Sequence, residues 1–250
     1  MLVKSQVKYI QSLGQKKFRD QEAVFIAEGP KLVKELLDAP DIHPVQIYAL
    51  RDWLEIHGRN LPAAVGAVVL EVREAELERI SSLATPNQVL AIFRKPSFPP
   101  PVFDSRVSVL LDGIQDPGNL GTIIRISDWF GIRQVVCSKD SVDAFNTKTI
   151  QSTMGSIGRV QVLYEDLESL IRQQLQHGLP VYAAALEGQS IHAVGPIAKG
   201  LIVIGNESKG ISRDLLDLIP NHITIPRTGE AESLNAAVAT GIILSHLVSY

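Results

Sequence analysis

The sequence predicts an α/β protein with two domains, of which the second is built on a parallel sheet. Apolar runs of strand length alternate with helical stretches along most of the 250 residues. A proline-rich segment, residues 95–105, divides the chain into two parts, both of plausible domain size. In the second part the strand candidates are continuously apolar, which is typical of parallel strands covered by helices on both faces.

The first part is predicted to be a small α/β domain over residues 1–95. Its predicted elements are, in order, helix 1–18, strand 23–29, helix 30–39 and strands 45–50, 67–72 and 88–94. Pro30 suits the first turn of the second helix, where a missing N–H is no loss. The prolines that follow this domain cannot join a central strand or a helix interior, so we assign residues 96–105 to a linker.

The second part, residues 106–250, continues the alternation. Its predicted strands are 107–114, 134–138, 160–164, 180–186, 200–206 and 222–226. Its predicted helices are 118–131, 144–156, 166–178 and a last helix that begins near Ser233. Asn119 is placed to cap the first of these helices, and either Ser233 or Asn235 can cap the last one.

The composition favours a globular protein with a sizeable core, since 45% of the residues are apolar and 20% are charged. Every apolar run is interrupted before it reaches the length of a membrane span, and the N-terminus lacks the apolar core of a signal peptide. The single cysteine, Cys137, excludes an internal disulfide and fits a reducing compartment. We therefore expect a cytoplasmic protein without a membrane partner.

Several common kinds of site are not supported by the sequence. The six histidines are scattered without zinc-ligand spacing, and Cys137 lies in an apolar strand, so we expect neither a metal site nor a cysteine nucleophile. The Gly-x-Gly-x-x-Gly pattern of dinucleotide-binding folds follows none of the predicted strands. Gly205 and Gly210 approach the pattern of a phosphate-binding P-loop, but Ile211 stands where that loop requires lysine.

Taken one at a time, the polar positions of the second part are open to two interpretations. Gly205 and Gly210 belong either to an ordinary turn or to a loop whose backbone approaches a ligand closely. Arg125 either forms a surface ion pair with Asp128, three residues further along the same helix, or acts in a site. Neither choice can be made from these residues alone.

The charges are unevenly distributed along the chain. The net charge of −3 excludes a generally basic nucleic-acid binder. Residues 1–20, however, contain five basic residues and one acidic residue, which gives this segment a local net charge of +4. Such a cluster either binds phosphate or forms a solvated helix face. Its candidate phosphate-binding residues are Lys16, Lys17 and Arg19.

Three segments resemble, in the same order, the three motifs of the SpoU/TrmH family of RNA ribose 2′-O-methyltransferases. They are NLGTIIRISDWFG (119–131), LIVIGNESKGIS (201–212) and IPRTGEAESLNAAVATGIIL (225–244). Three blocks in the right order are far more specific than a lone glycine pattern. The segment FIAEGPKLVKELL (25–37) resembles, more loosely, the small substrate-binding domain of the family's ribosomal-RNA members.

The resemblance implies an α/β fold with a deep trefoil knot at its C-terminal end and a homodimer formed through the knotted region. It implies S-adenosyl-L-methionine (AdoMet) as methyl donor, no metal, and an RNA substrate, ribosomal RNA more than transfer RNA. The implied catalytic residues are Arg125, Asn119, Glu207, Ser233 and Asn235. The implied cofactor-binding residues are Leu186, Gly205, Asn206, Gly210, Ile225 and Leu234. With RNA as the substrate, the RNA-binding candidates become Lys16, Lys17 and Arg19.

The sequence departs from the family pattern at Ala237, where many members have serine, and at Gln151, where an arginine often stands. The first departure concerns helix packing, and the second concerns contacts with the RNA backbone. Arginine stays protonated in proteins, so we expect Arg125 to fix a phosphate and stabilise the reacting oxygen, not to remove a proton. Two alternatives stay open: a non-catalytic RNA-binding or ribosome-assembly protein of the same fold, and a nucleotide hydrolase, which the missing lysine disfavours.

Overall fold

The computed structural model describes residues 1–58, 61, 63–66, 68–103 and 106–248. The chain forms two compact units. The first unit contains residues 1–97 together with residues 145–158, and the second contains the rest. Asp104 and Ser105 of the predicted linker lie outside the described residues, as does Ala67, where the predicted strand 67–72 begins.

The elements of the first half are, in chain order, α1 (Lys4–Ser12), α2 (Lys16–Glu22), β1 (Val24–Glu28), α3 (Pro30–Leu37), β2 (Pro44–Ala49), α4 (Arg51–His57), α5 (Ala63–Gly66), β3 (Val69–Glu71), α6 (Glu74–Ile80) and β4 (Val89–Arg94). Those of the second half are β5 (Val107–Asp112), α7 (Pro117–Trp129), β6 (Gln134–Ser138), α8 (Thr147–Thr153), β7 (Gln161–Glu165), α9 (Leu167–Gln176), β8 (Val181–Ser190), α10 (Ile191–Val194), β9 (Gly200–Gly205), α11 (Arg213–Leu218), β10 (Asn221–Thr224) and α12 (Ala236–Leu247). Strands and helices alternate in both halves, which confirms the predicted α/β fold class.

The first unit is built on a mixed sheet with the strand order β1-β4-β2-β3. Strand β4 pairs antiparallel with both β1 and β2, and β2 pairs parallel with β3. The apolar faces of α1 and α6 pack on this sheet in one buried cluster that includes Ile10, Leu77, Leu90 and Ile92. Burial of each such side chain stabilises the unit by roughly 1.5–3 kcal/mol relative to exposure.

The N-terminal segment forms two helices, so the single helix predicted over residues 1–18 is wrong. The break lies at Leu13 and Gly14, whose carbonyls accept hydrogen bonds from the Arg19 guanidinium at 2.9 and 2.8 Å. These bonds satisfy backbone groups that a continuous helix would have paired internally. Only 1% of Arg19 is exposed, which removes it from the surface cluster predicted to contact RNA.

Residues 145–158 come from the second half of the chain but pack in the first unit. The Phe145 ring lies 5.1 Å from that of Phe25, centroid to centroid, and the Lys95 ammonium lies 5.1 Å above the Phe145 ring. Gly155 and Gly158 come so close to α3 and the turn after it that a Cβ on them would meet carbons there at 2.7 and 2.8 Å. The predicted domain boundary assigns this segment to the second domain, because a sequence pattern does not say what a helix packs against.

The helix within this segment is also shorter than the predicted 144–156. Asn146 caps it by accepting a hydrogen bond from the Lys148 N–H at 2.9 Å. Met154, in a left-handed conformation with φ of 51°, ends it. Gln151 lies within this helix, on the first unit.

The second unit is built on a sheet with the strand order β10-β8-β9-β5-β6-β7, in which every pairing is parallel. The central strands β5, β6 and β9 are buried along most of their length, as their continuous apolar sequences predict. Strand β9 lies between β8 and β5, although both precede it in the chain. The carboxyl ends of parallel strands lie along one edge, which brings the segments after β5, β6 and β9 together.

Strand β8 contains an irregular stretch beside β10. Asn221 and His222 pair with Tyr182 and Ala183, but Ile223 and Thr224 pair with Gln189 and Ser190. Residues 184–188 are therefore left out of the pairing and form a bulge. Across the described part of the chain, no helix is long and apolar enough to span a bilayer.

Candidate active site

Three polar residues from the three motif segments form one hydrogen-bonded cluster in the second unit. The side-chain amide of Asn119 donates to the Glu207 carboxylate at 2.8 Å. The amide of Asn235 donates to the Asn119 carbonyl oxygen at 2.9 Å. Asn119 lies in the first turn of α7, Glu207 follows β9, and Asn235 precedes α12. Residues separated by 88 and 116 positions in the chain thus share one set of hydrogen bonds.

Asn119 is available for this cluster because another residue caps α7, so the predicted capping role of Asn119 is wrong. The helix begins at Pro117, and Asp116 accepts a hydrogen bond from the Asn119 backbone N–H at 2.9 Å. An Asp-Pro pair is a common helix start, because the carboxylate satisfies an unpaired N–H and proline has none to satisfy. That signal was present in the sequence and identifies Asp116 as the cap.

Asn235 caps α12, so the helix starts at Ala236 and not at Ser233. Its carbonyl oxygen accepts from the N–H groups of Ala237 and Val238 at 3.0 and 3.3 Å, which leaves its amide to donate to Asn119. One side chain therefore both starts the last helix and joins the cluster. The Ser233 side chain makes no hydrogen bond within the described residues and is exposed.

The loop after β9 is fixed mainly by its own backbone and by Asn206. The backbone N–H and C=O of Asn206 pair with Gly210, both at 2.9 Å. The side chain of Asn206 donates to the Gly113 carbonyl at 2.6 Å and accepts from the N–H groups of Ser208 and Lys209. Asn206 thus shapes the loop with every one of its polar groups.

Gly205 allows the loop to fold back on the end of β9. A Cβ at Gly205 would lie 2.2 Å from backbone atoms of Gly210 and Ile211, so no other residue fits without a backbone shift. The Asp112 carboxylate, at the end of the neighbouring strand β5, accepts from the Ser212 N–H at 2.7 Å and holds the far end of the loop. Sequence reasoning missed Asp112, although its place at a strand end was a usable signal.

A cavity of about 620 Å³ opens at the carboxyl ends of β8, β9 and β10. Its walls are the β8 bulge, the loop after β9 and the segment between β10 and α12. Each of the six predicted cofactor-binding residues lines it: Leu186, Gly205, Asn206, Gly210, Ile225 and Leu234. Glu207 and Ser233 line it as well, so the hydrogen-bonded cluster reaches the cavity through Glu207.

The cavity fits a ligand with an apolar ring system and a polar end. Its apolar lining includes Ile204, Ile211, Ile223 and Ile243, and its volume is in the range of cofactor sites. The glycines Gly205 and Gly210 line it without a side chain, so a flat ring can reach the main chain there. A nucleoside cofactor such as AdoMet has these features, and the residues present are compatible with it.

Arg125 lies apart from this cavity. It is exposed on α7, does not line the cavity, and makes no ion pair or hydrogen bond with any residue that the structure describes. The surface pair with Asp128 is not formed, since Asp128 instead accepts from the Arg159 guanidinium at 2.9 Å. The interpretation of Arg125 as half of a local ion pair is therefore wrong.

The basic surface of the first unit is smaller than its sequence suggests. Lys16 and Lys95 both pair with Asp20, at 2.7 and 2.6 Å. Burial raises the pKa of Asp20, but its hydrogen bonds and charge contacts with the two lysines outweigh this and leave the pKa below its ordinary value. Lys17 is exposed, whereas Arg19 is buried. Of the three RNA-binding candidates, Lys16 and Lys17 lie at the surface.

The site contains no reactive cysteine. Cys137 is fully buried in β6, and burial raises the pKa of its thiol far above the ordinary value, so no thiolate nucleophile forms there. Within the described ranges, no group of three or more His, Cys, Asp or Glu side chains is arranged to hold a metal ion.

The fold and the site define an α/β protein that binds a ligand at the carboxyl ends of parallel strands. Residues 106–245 match the model of the SpoU rRNA Methylase family, and residues 4–91 match the MRM3-like substrate binding domain. The chain is 33% identical over 242 residues to the 23S rRNA (guanosine(2553)-2′-O)-methyltransferase RlmP of Bacillus subtilis. The aligned region covers 96% of this chain and 95% of that protein.

Two solved structures share the whole fold. A TrmH-family protein from Porphyromonas gingivalis has a TM-score of 0.87 and 38% identity, with 98% of this chain and 97% of that chain covered. An AdoMet-bound rRNA methyltransferase from Sinorhizobium meliloti has a TM-score of 0.85 and 33% identity, with 98% and 94% covered. The chain belongs to the SpoU rRNA methylase family, which confirms the resemblance found in the three motifs.

Proposed function

We propose that this protein is an AdoMet-dependent methyltransferase that methylates a ribose 2′-hydroxyl of ribosomal RNA. The observation that carries the proposal is the cluster of Asn119, Glu207 and Asn235 at the cavity, because it joins all three family motifs in one place. Relatives named as rRNA methyltransferases along nearly the whole chain support ribosomal RNA over transfer RNA. A site for transfer RNA is the alternative.

AdoMet, when bound, supplies a methyl group activated on a sulfonium. Leu186, Gly205, Gly210, Ile225 and Leu234 would hold it, largely through the loop backbone and apolar contacts. Asn206 would contribute by keeping the loop in shape, since its side chain already bonds the backbone of Gly113, Ser208 and Lys209. The family implies that these segments belong to a trefoil knot and that AdoMet binds there.

Methyl transfer would form the oxygen–methyl bond as the methyl–sulfur bond breaks, so the ribose oxygen must be aligned with both, and the hydroxyl proton would leave to solvent water. Asn119 and Asn235 would orient the ribose, and Glu207 fixes the amide of Asn119. Ser233 is exposed at the cavity and is free to contact the RNA. Arg125 would hold the adjacent phosphate and stabilise the charge that develops on the oxygen.

The homodimer is proposed from the unpartnered surface of α7 and α12, which pack against each other. Trp129 at the end of α7 is 83% exposed, and Val238 on α12 is 51% exposed. Large exposed apolar side chains on adjacent helices are typical of a protein interface. We propose that this surface binds the same surface of a second copy, as a two-fold symmetric dimer requires.

The position of Arg125 supports this dimer. Arg125 follows Asn119 by six residues, which places the two side chains about 120° apart around the helix axis. It shares the exposed stripe of Trp129 and not the face of Asn119, which turns toward α12 and the cavity. We therefore propose that each Arg125 completes the site of the partner.

The test uses two inactive variants. Arg125→Ala is expected to bind AdoMet normally in calorimetry, because Arg125 does not line the cavity, and to lose methyl transfer by about 10²-fold or more, because the phosphate contact and the charge stabilisation are removed. Asn119→Ala is expected to be inactive because it removes the amide that orients the ribose in the site of the same subunit. An Arg213→Ala variant, on the exposed start of α11 and away from the cavity, serves as a surface control that keeps its turnover.

Mixing the two inactive variants distinguishes the arrangements. If Arg125 acts on the partner, random exchange gives mixed dimers with one intact site and restores about a quarter of the wild-type activity. A mixture as inactive as its components would contradict the shared site. Near-normal turnover of Arg125→Ala alone would contradict its catalytic assignment, and absence of AdoMet binding to the wild type would favour the non-catalytic alternative.

A further inference from the structure

Most of the charged residues that line the cavity take no part in the catalytic cluster. Five charged side chains line it, three acidic and two basic: Glu187, Glu207, Glu232, Lys209 and Arg227. Glu207 is bound to Asn119. A carboxylate on a ligand is repelled by the acidic positions and attracted to the two basic ones, so its position in the cavity is restricted.

Arg227 is the better placed of the two basic residues. One of its terminal nitrogens donates to the Ala231 carbonyl at 3.0 Å, which closes the segment 227–231 into a turn and fixes the guanidinium at the cavity wall. It forms no ion pair among the residues that the structure describes, even with the nearby Glu230 and Glu232. Most of its N–H donors are therefore available to a ligand.

Lys209 differs from Arg227 in this respect. Its ammonium makes no hydrogen bond or ion pair with the described residues, and nothing there holds the side chain in one position. A fixed guanidinium can bind a carboxylate through two parallel hydrogen bonds, whereas a lysine acts as a mobile point charge. The geometry therefore favours Arg227 as the specific contact.

We propose that Arg227 is a specificity residue that binds the carboxylate at the amino-acid end of the cofactor. This inference rests on the proposed function, because AdoMet carries one carboxylate, one ammonium and one sulfonium. The apolar part of the cavity takes the ring system, and Arg227 distinguishes a ligand with a carboxylate from the same ligand without it. Glu232, on the same segment, places a negative charge at the cavity wall as well.

The experiment compares AdoMet with decarboxylated AdoMet, which keeps the sulfonium and the amine, by calorimetry on the full chain. The wild type is expected to bind AdoMet about tenfold more tightly, the effect of one charged hydrogen-bonded pair. Arg227→Met is expected to lose this preference through weaker AdoMet binding alone. Arg227→Lys should retain part of the preference. Arg213→Met, on the exposed start of α11 and away from the cavity, should retain all of it.

The comparison of two ligands separates charge recognition from a general loosening of the loop. Equal weakening of both ligands by Arg227→Met would overturn the proposal, because Arg227 would then only support the turn. An unchanged preference in Arg227→Met would overturn it as well. A wild type that binds AdoMet without any preference overturns this inference alone, whereas a wild type that binds neither ligand overturns the proposed function with it.

Discussion

The amide of Asn119 is suited to its position because it donates and accepts at the same time. Its NH₂ group meets the acceptor-only carboxylate of Glu207, and its carbonyl oxygen meets the NH₂ group of Asn235. A carboxylate at position 119 would face Glu207 with like charge, and a hydrophobic residue would leave both partners unsatisfied. The site therefore depends on the residue type, not merely on a polar side chain.

At the same scale, Gly205 determines whether the cavity wall can form. We predict that Gly205→Ala weakens AdoMet binding at least about tenfold and lowers stability by about 1–3 kcal/mol, because its Cβ would meet backbone 2.2 Å away. Calorimetry and thermal unfolding measure the two effects. Gly66→Ala is the matched control, since a Cβ there meets nothing within 4 Å and Gly66 does not line the cavity. Wild-type affinity in Gly205→Ala would contradict the proposed wall.

The structure brings the motif residues Asn119, Glu207 and Asn235 together, but the capping role predicted for one of them was wrong. The paired glycines of the loop after β9 were open to two interpretations, and the structure shows that Gly205 allows the loop to close on its own backbone at Gly210. The role of Asn119 as a cap was wrong because Asp116 is available three residues earlier. A cap is decided by competition between neighbouring side chains, which the identity of one residue does not reveal.

At the scale of elements, the segment 145–158 lies in the second half of the chain but packs in the first unit. It belongs to the connection between the adjacent parallel strands β6 and β7, yet its residues are part of the first unit. The Phe145 ring packs against that of Phe25, and the Lys95 ammonium lies over the Phe145 ring. The first unit is therefore incomplete without residues from the second half.

We predict that Phe145→Ala lowers the free energy of unfolding by about 3 kcal/mol, the lower end for a buried phenylalanine, because the ring packs in the core of the first unit. Urea unfolding monitored by circular dichroism measures it. Ile56→Ala, in the same unit but 64% exposed, is expected to change stability by less than about 0.5 kcal/mol. Equal effects of the two substitutions would contradict the assignment of this segment to the first core.

Element types were predictable because period and turn residues are local properties. The strands and most helices of the second half follow from apolar runs and from Pro, Gly and Asp at their ends. The break at Gly14 was not predicted, because it depends on the buried Arg19, which lies six residues after Leu13 and looks like a surface charge in sequence. The packing of 145–158 was not predicted because an apolar face does not specify its partner.

At the scale of the whole molecule, the order of the strands is what creates the site. Strand β9 inserts between β8 and β5, which sets its loop beside the β8 bulge and the segment after β10. Local patterns predicted a parallel sheet but not this order, because the sequence of an apolar strand does not say which strands lie beside it. The cavity is thus a property of topology, and its lining residues are far apart in the chain.

The central claim is that the whole protein methylates ribose in ribosomal RNA. The most direct measurement is a map of 2′-O-methylation in ribosomal and transfer RNA from cells that contain or lack the gene. We predict that a ribosomal RNA position loses its methyl group without the gene, and that the wild-type gene restores it whereas Arg125→Ala does not. Identical maps with and without the gene, or a loss confined to transfer RNA, would contradict the account.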